Sequence, residues 1–326
     1  MKTALITGIA GQDGSYLADL LLEKGYKVVG LTKPRSDLSN IEHIKNKIYL
    51  KYGDITDSYF VNCAVFDTRP DEIYNLAAQS HVGESFKTPI VTTSVNYTGY
   101  LNVLLAARRY VPKARIYQAG TSEMFGYAAT EGYQNEITPL MPKSPYAIAK
   151  VAAHWAGVNA RYEANQFVSN GILFNHESPR RHESFVTKKI TNAVNRIKKG
   201  SGEILRLGNI DSQRDWGHAQ DYVLGMWLML QHDKPDDFVL ATGETHTVRE
   251  FVFNAFKAAG LPIVFKGSGL SECGYIRDRL VMTIDPEFYR PNELAYIKGD
   301  ASKAKSVLGW KPEISFNKLV YMMVNE

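Results

Sequence analysis

Short apolar segments alternate with longer amphipathic segments along the first half of the chain. Six apolar segments have the length and composition of buried strands: Thr3–Thr7, Lys27–Leu31, Ile48–Tyr52, Glu72–Leu76, Arg115–Ala119 and Phe167–Phe174. Three longer segments have the apolar spacing of helices: Gly14–Lys24, Val91–Tyr110 and Ser144–Ala164. This alternation predicts an α/β fold, in which helices cover both faces of a doubly wound parallel sheet.

The second half of the chain has a less regular pattern. Helical spacing extends over Phe185–Lys199, His218–Gln231 and Val248–Ala259, and a mixed segment that contains Gly267, Gly269, Pro286 and Pro291 follows. We therefore expect a larger sheet domain over residues 1–174, to which segments near 210–245 return. Residues 175–326 should form mainly a smaller, mixed α/β lobe that binds substrate.

Composition and charge exclude several classes of protein. Of the 326 residues, 44% are hydrophobic and 22% are charged, which is typical of a globular protein. The net charge of +4 is too small to indicate a nucleic-acid-binding protein. The two cysteines provide neither a disulfide framework nor a metal site, and no apolar segment approaches the roughly 20 residues that span a bilayer. The first eight residues do not resemble a signal peptide, so we expect a cytoplasmic protein without membrane contact.

A glycine-rich loop follows the first predicted strand and opens the first predicted helix. Its sequence is Gly8-Ile9-Ala10-Gly11-Gln12-Asp13-Gly14. Glycines at this spacing allow a tight turn and a close approach of the backbone to a pyrophosphate, which then faces the free amides at the helix start. The position of the loop within a strand–helix unit predicts a Rossmann-type dinucleotide site.

Charge near the end of the second strand indicates which dinucleotide binds. NAD-binding proteins of this type carry an acidic residue there, which bonds to the ribose hydroxyls. In this chain Lys33 and Arg35 follow the strand, and no carboxylate precedes Asp37. A guanidinium suits a 2′-phosphate, so the sequence favours NADP.

Four side chains in the central segment suggest acid/base chemistry. Tyr146 and Lys150 are four residues apart in a predicted helix and therefore share one face. A nearby ammonium should stabilise the phenolate and lower the pKa of the tyrosine. Thr121 and Glu123 follow the fifth strand, at the sheet edge where ligands bind. A glutamate at this position would add a second acid/base group to the tyrosine and lysine.

The glycine loop and the Tyr-x-x-x-Lys pair together resemble the extended short-chain dehydrogenase/reductase family. Further segments are similar to the GDP-mannose 4,6-dehydratases within it. These segments are residues 11–17, 75–82, 170–181, 214–219, 241–243 and 290–293. They follow one another in order over nearly the whole chain, which makes the resemblance far more specific than any single motif.

The resemblance assigns roles to the matching positions. It implies that Thr121, Glu123, Tyr146 and Lys150 are catalytic. It implies NADP contacts at Gly8, Gly11, Gln12, Asp13, Gly14, Arg35, Asp54, Ile55, Leu76, Ala77, Ser80, Tyr146, Lys150, His176 and Arg181. It implies GDP-sugar contacts at Ser80, Thr121, Asn175, Lys189, Arg214, Arg290 and Glu293. Arginine forks suit a diphosphate, and no histidine pair has metal-ligand spacing, so no metal is expected.

Three positions differ from the family pattern. The loop 33–37 lacks the Arg-Arg-Ser-Ser run, Gly120 stands where serine is expected, and His182 stands where glycine is expected. The loop joins subunits in relatives, so the first difference bears on both cofactor binding and tetramer formation.

The resemblance implies conversion of GDP-mannose, or a close relative, to the 4-keto-6-deoxy sugar nucleotide. Hydride would move internally from C4 to C6, and water would be lost. Three alternatives stay open: dehydration of GDP-manno-heptose, a bifunctional enzyme that also reduces the 4-keto product, and a regulatory protein that binds NADP without turnover. The resemblance also implies a homodimer or homotetramer.

Overall fold

A parallel seven-stranded sheet is the centre of the molecule, as the computed structural model shows. The structure describes residues 1–129, 132–288 and 296–326. The strands are β1 (Thr3–Thr7), β2 (Lys27–Thr32), β3 (Tyr49–Tyr52), β4 (Glu72–Asn75), β5 (Arg115–Ala119), β6 (Phe167–Leu173), β7 (Asn175–Glu177), β8 (Leu205–Leu207), β9 (Gln213–Arg214), β10 (Trp216–His218), β11 (Asp237–Leu240), β12 (His246–Thr247), β13 (Val264–Lys266), β14 (Cys273–Ile276) and β15 (Arg279–Ile284).

The helices fill the connections between these strands. They are α1 (Gln12–Glu23), α2 (Ser58–Thr68), α3 (Val82–Lys87), α4 (Pro89–Thr93), α5 (Gly99–Tyr110), α6 (Pro145–Glu163), α7 (Val186–Lys198), α8 (Ala219–Gln231), α9 (Val248–Ala258), α10 (Ser302–Leu308) and α11 (Phe316–Asn325). A π-helical turn at Ser94–Thr98 joins α4 to α5. Within the described residues, no helix is long and apolar enough to cross a membrane.

The strand order of the main sheet is β11-β6-β5-β4-β1-β2-β3. The chain starts at β1, builds outward through β2 and β3, and returns to the other side of β1 with β4. All six strand pairs are parallel. The order reverses between β1 and β4, which is the point where doubly wound sheets bind ligands. The predicted Rossmann-type fold is therefore confirmed.

Alternating side chains of β1 enter two different cores. Ala4 and Ile6 pack with α1 and α8 on one face of the sheet, where Leu17 and Val223 are completely buried. Leu5 points to the opposite face and packs with residues of α2, α5 and α6. A strand buried on both faces has a continuous apolar sequence, which is why β1 contains no charged residue.

A second core lies in the later part of the chain. The sheet β13-β14-β15-β8 packs with α7, α9 and α11 around buried side chains such as Ile190, Phe251, Met282 and Leu319. Two small strand pairs, β7 with β10 and β9 with β12, lie in the segments that connect this lobe to the main sheet. The assignment of residues 1–174 to NADP and of 175–326 mainly to the GDP-sugar stays a prediction.

The sequence pattern missed some elements and merged others. Helix α2 was not predicted, although the Asp57 side chain caps it by accepting hydrogen bonds from the amides of Tyr59 and Phe60. Strand β11 and the strands of the later sheet were also missed. The predicted strand Phe167–Phe174 ends at Leu173, and the following residues pair in a separate small sheet as β7. Short strands carry too few residues for periodicity to show.

We predict that Gly14→Ala destabilises the protein by about 1–3 kcal/mol, because helix α1 presses against the preceding loop at this position. A Cβ atom at Gly14 would lie 2.4 Å from the carbonyl oxygen of Gly8 and 2.6 Å from Cα of Ile9, and both are backbone atoms. Urea unfolding measures the effect. The matched control is Gly202→Ala, whose Cβ would meet nothing within 4 Å. Equal stability of the two variants would contradict this reading of the loop.

Candidate active site

A cleft of about 770 Å³ opens at the carboxyl ends of the central strands and extends between the sheet and the second lobe. It brings together many side chains that are far apart in sequence. The predicted site residues that line it are Asp13, Leu76, Ser80, Thr121, Glu123, Tyr146, Lys150, Asn175, His176, Arg181, Lys189 and Arg214. The cleft therefore contains the four predicted catalytic residues and members of both groups of predicted ligand contacts.

The glycine loop lies beside this cleft, between the end of β1 and the start of α1. Gly8 has a φ of 72°, and a Cβ there would lie 2.9 Å from the amide nitrogen of Ala77. Glycine is required because the loop passes this close to the end of β4. Gly11 caps helix α1 without a side-chain hydrogen bond, so the first helical amides face outward without a side-chain acceptor. This arrangement fits a pyrophosphate at the helix start.

Asp13 and His176 form a buried contact across the cleft. Oδ2 of Asp13 lies 2.9 Å from Nε2 of His176, and Nδ1 of the same ring lies 2.7 Å from the carbonyl oxygen of Phe174. Both neighbours can only accept hydrogen bonds, so both ring nitrogens must carry protons. His176 is therefore an imidazolium, and the contact is an ion pair.

The pKa values of the two partners shift accordingly. Burial raises the pKa of Asp13, but the charge and hydrogen bond of His176 outweigh burial and lower it to about 2. Burial lowers the pKa of His176, but Asp13 outweighs burial and raises it above its usual value. Gln12 adds a neutral link beside the ion pair, because its amide donates to the carbonyl of His176 at 3.0 Å and accepts from the Ser178 hydroxyl at 2.8 Å.

Thr121, Tyr146 and Lys150 meet at the end of β5, as their spacing predicts. Ser144 caps α6 by accepting from the amide of Ala147, which fixes the helix that carries Tyr146 and Lys150. The Thr121 hydroxyl hydrogen-bonds to Tyr146, and all three residues are at least nine-tenths buried. The three side chains are positioned for acid/base chemistry at one reacting centre.

The net shift of the Tyr146 pKa is opposite to the one expected from Lys150. Burial raises the pKa of Tyr146 to about 12, partly offset by the Thr121 hydrogen bond and reinforced by the charge of Glu123. Nζ of Lys150 lies 5.9 Å from the ring centre and donates instead to the carbonyl oxygen of Ala119 at 2.9 Å. Burial also lowers the pKa of Lys150 to about 8. The prediction that Lys150 lowers the pKa of Tyr146 is wrong for this structure, because burial dominates.

Buried amides connect the end of β4 to this lysine. The hydroxyl of Thr7 accepts from the amides of Leu76 and Ala77 and donates to Asn75 at 2.8 Å. Asn75 then donates to Gln118 at 2.7 Å, and Gln118 donates to the same Ala119 carbonyl that holds Lys150. Each side chain in this series donates to the next one, and the series ends at the Ala119 carbonyl. Asn75 and Gln118 were not singled out from the sequence.

Glu123 lies on the wall of the cleft, on a short 3₁₀ turn directly after Thr121. The hydroxyl of Thr121 accepts from the Glu123 amide at 3.3 Å and so begins this turn. The carboxylate is close enough to Tyr146 to raise the pKa of its phenol. A second titratable group therefore lies beside the tyrosine. Gly120, where serine was expected, lies against the Gly171 carbonyl, which a Cβ would approach to 2.6 Å.

Basic side chains of the second lobe line the far half of the cleft. Nε of Arg181 lies 3.0 Å from the buried carboxylate of Glu177, and the guanidinium covers the ring of Phe185 at 3.6 Å. Lys189 donates to the carbonyl of Arg206 at 2.7 Å. Arg214 is nine-tenths buried on β9. Several cations on one wall suit an anionic ligand.

Other predicted residues lie outside this cleft. Arg35 is exposed after β2, and Lys33 pairs with Asp54 at 3.3 Å. The side chain of Ile55 is buried against α5, so only its backbone could reach a ligand. The remaining predicted cofactor contacts lie beside the cleft in the glycine loop and at the end of β4. They are Gly8, Gly11, Gln12, Gly14 and Ala77. Arg290 and Glu293 lie outside the described residues.

Two aromatic residues on the cleft wall were missed by sequence reasoning. His81 caps α3 through Nδ1, which accepts from the amide of Glu84 at 3.1 Å. Its ring meets the ring of Phe185 edge to face at 6.0 Å, so the sheet domain touches the second lobe here. No local sequence signal predicts a contact between residues so far apart in the chain.

The fold and this site define a class of protein. A Rossmann-type sheet, a glycine loop at β1 and a Thr–Tyr–Lys group at β5 are the features of an extended short-chain dehydrogenase/reductase. The family model described as GDP-mannose 4,6 dehydratase matches residues 5–323. The chain belongs to the GDP-mannose 4,6-dehydratase family.

Individual relatives are similar over their full lengths. GDP-mannose 4,6-dehydratase of Sinorhizobium fredii is 49% identical, with 100% of this chain and 96% of the relative covered. GDP-mannose 4,6 dehydratase of Homo sapiens is 48% identical, with 99% and 91% covered. GDP-mannose 4,6 dehydratase 1 of Arabidopsis thaliana is 50% identical, with 100% and 89% covered.

Solved structures share the fold at lower identity. UDP-glucose 4-epimerase of Thermus thermophilus, in complex with NAD, superposes with a TM-score of 0.84 at 25% identity and covers 99% of this chain and 98% of its own. UDP-glucose 4-epimerase of Thermotoga maritima, with UDP-glucose, has a TM-score of 0.85 at 23% identity, with 99% and 97% covered.

We predict that Asp13→Asn destabilises the protein in a pH-dependent way. The Asp13 contribution is complete above the unfolded pKa of 3.8 and is lost as pH falls towards 2. The His176 contribution is complete below the unfolded pKa of 6.5 and is lost as pH rises through the raised folded value. The stability removed by Asp13→Asn, about 2 kcal/mol, should therefore be largest between about pH 4 and 6.5.

Urea unfolding of the unmodified protein and of Asp13→Asn, from pH 4 to pH 9, measures the difference in stability. Glu42→Gln is the control, because Glu42 pairs with Lys45 on the surface and should change stability little at any pH. A difference for Asp13→Asn that stayed constant from pH 4 to pH 9 would contradict the ion pair.

Proposed function

We propose that this protein is a GDP-sugar 4,6-dehydratase that acts on GDP-mannose. It would convert the substrate to its 4-keto-6-deoxy derivative through internal hydride transfer and loss of water. The observation that carries this proposal is Glu123, which stands in the cleft beside the Thr121–Tyr146 pair. Simple oxidation and reduction need one acid/base group, whereas dehydration needs a second. Relatives named for this activity are about half identical over the whole chain.

The residues present fit a nicotinamide dinucleotide. Gly8 leaves room that a Cβ would fill, and the start of α1 offers amides without a side-chain cap. The Thermus thermophilus epimerase, with the same fold, holds NAD. We propose NADP for this chain. Arg35 is exposed after β2, and the carboxylate of Asp54 is neutralised by Lys33. These charges favour a 2′-phosphate.

Tyr146 and Thr121 act in the first step. When bound, an oxidised nicotinamide would supply a hydride acceptor for C4 and then a hydride donor for C6, and its positive charge would oppose the effect of burial on the Tyr146 pKa. Tyr146 accepts the proton of the C4 hydroxyl as the hydride leaves. Thr121, which is hydrogen-bonded to Tyr146, also bonds to the C4 oxygen and aligns it with the tyrosine. Lys150 is anchored to the Ala119 carbonyl and places an ammonium beneath this pair.

Glu123 acts in the second step. Oxidation at C4 makes the C5 proton acidic, because its removal gives an enolate of the new ketone. Glu123 removes this proton and passes it to the departing C6 hydroxyl, which leaves as water. Tyr146 then returns its proton to C5 after hydride reaches C6. The cycle consumes no dinucleotide.

The proposal is tested by a product assay on the purified protein. GDP-mannose, GDP-manno-heptose and UDP-glucose are incubated in parallel, each with NADP and with NAD, and the products are identified by mass spectrometry. We expect GDP-mannose to lose one water in the presence of catalytic NADP. Stoichiometric formation of NADPH, or turnover of UDP-glucose alone, would overturn the proposal.

We predict that Glu123→Gln separates oxidation from elimination. The amide keeps the shape of the side chain but cannot accept the C5 proton, so turnover should fall by about 10²–10⁴-fold. Enzyme-bound reduced nicotinamide should accumulate and be visible as its absorbance band after rapid mixing. Tyr146→Phe should show no such band. Glu84→Gln, another carboxylate on the cleft wall, is the control and should keep turnover within about threefold. Near-normal turnover of Glu123→Gln would remove the main chemical support for the proposed dehydration.

We also propose a homo-oligomer, formed through an exposed apolar stripe. Ile148, Trp155 and Tyr162 are seven residues apart on α6, and each is more than half exposed. Ile90 and Leu105, on the neighbouring α4 and α5, are exposed as well. Residues seven apart lie on one helix face, and large exposed apolar stripes mark protein interfaces.

We predict that Trp155→Glu reduces the oligomer to monomers at micromolar concentration, because a carboxylate cannot be buried in an apolar interface without a partner. Light scattering coupled to size-exclusion chromatography measures the mass. Tyr321→Glu is the control, since Tyr321 is similarly exposed but lies on α11, outside the stripe. An unchanged mass for Trp155→Glu would place any interface elsewhere.

A further inference from the structure

Ser212 presents an unusual hydroxyl on the wall of the cleft. The residue is 2% exposed, lines the far half of the cleft, and stands immediately before β9. Its Oγ has no hydrogen-bond partner in the described part of the chain. Buried hydroxyls nearly always find a partner, so each exception needs a physical reason.

Among the described residues, the other buried polar atoms without a hydrogen-bond partner either lie outside the cleft or have a charged group close by. In the described part of the chain, Arg181 is the other cleft-lining residue with such an atom, and its Nε lies 3.0 Å from a Glu177 oxygen. Ser201 carries a comparable unpaired hydroxyl, but it lies outside the cleft, after helix α7. Among these, the Ser212 hydroxyl combines burial, a cleft position and no hydrogen-bond partner.

The backbone holds Ser212 in place without using its side chain. The carbonyl of Ser212 accepts from the amide of Val248 at 3.2 Å, and the carbonyl of Ile210 accepts from Arg249 at 2.8 Å. The start of α9 therefore fixes the loop that carries the hydroxyl. A rigid loop with an unpaired hydroxyl is pre-organised for a ligand rather than for the protein's own fold.

The neighbouring charges indicate the chemistry of that ligand. Arg214 follows two residues later, and both Arg214 and Lys189 line the same cleft as Ser212. A hydroxyl can donate one hydrogen bond, and cations that line the same cleft favour an anionic acceptor. We propose that the Ser212 hydroxyl donates to an oxygen of the diphosphate that links nucleoside and sugar in the substrate. This inference rests on the proposed function and adds a residue that sets affinity for the nucleotide.

The test uses calorimetric titration of the full chain with GDP, UDP and guanosine. For Ser212→Ala we expect GDP to bind about tenfold more weakly and guanosine to bind as to the unmodified protein. The melting temperature without nucleotide should stay the same or rise, because the variant removes an unpaired buried hydroxyl. Ser201→Ala, the matched control, should leave GDP binding unchanged.

The outcomes separate this inference from the proposed function. Unchanged GDP affinity in Ser212→Ala would overturn the inference while leaving the product assay untouched. A lower melting temperature with unchanged affinity would show a structural role and would also overturn it. If the unmodified protein bound UDP in preference to GDP, and Ser212→Ala weakened UDP tenfold, the diphosphate contact would stand and the GDP-sugar assignment would fall.

Discussion

The ion pair between Asp13 and His176 is the contact on which the rest of the site depends. It joins the start of α1, next to the glycine loop, to β7 in the segment that connects the main sheet to the second lobe, and its partners are 163 residues apart in the chain. The imidazolium has no freedom to turn, because its other nitrogen donates to the Phe174 carbonyl. The two walls of the cleft are thus held at a fixed distance, and the acid/base groups of one wall face the cations of the other.

Burial determines the electrostatics of Tyr146 and Lys150. It raises the pKa of Tyr146 and lowers that of Lys150, so each side chain favours its neutral form more than it would in water. The polar network from Thr7 through Gln118 satisfies the buried amides at the strand ends and fixes the carbonyl that receives the lysine. In the proposed reaction, activation of Tyr146 would therefore depend on the charge of a bound cofactor more than on Lys150 alone.

Local patterns in the sequence predicted the glycine loop, the central sheet and the Tyr146–Lys150 pair, because each depends on spacing within a single element. The family resemblance added the second-lobe residues that line the cleft. The sequence could not predict the Asp13–His176 ion pair or the unpaired hydroxyl of Ser212, since both arise from packing between distant segments. It also misjudged the pKa of Tyr146, because the extent of burial depends on the complete fold.

The central claim is that one active site removes hydride from C4, expels water, and returns the same hydride to C6. Its most direct test is the conversion of GDP-mannose labelled with deuterium at C4, followed by nuclear magnetic resonance of the product. The account predicts a 4-keto-6-deoxy product that carries the deuterium at C6, with no net change in the dinucleotide. A product without deuterium at C6, or deuterium recovered in free reduced dinucleotide, would contradict it.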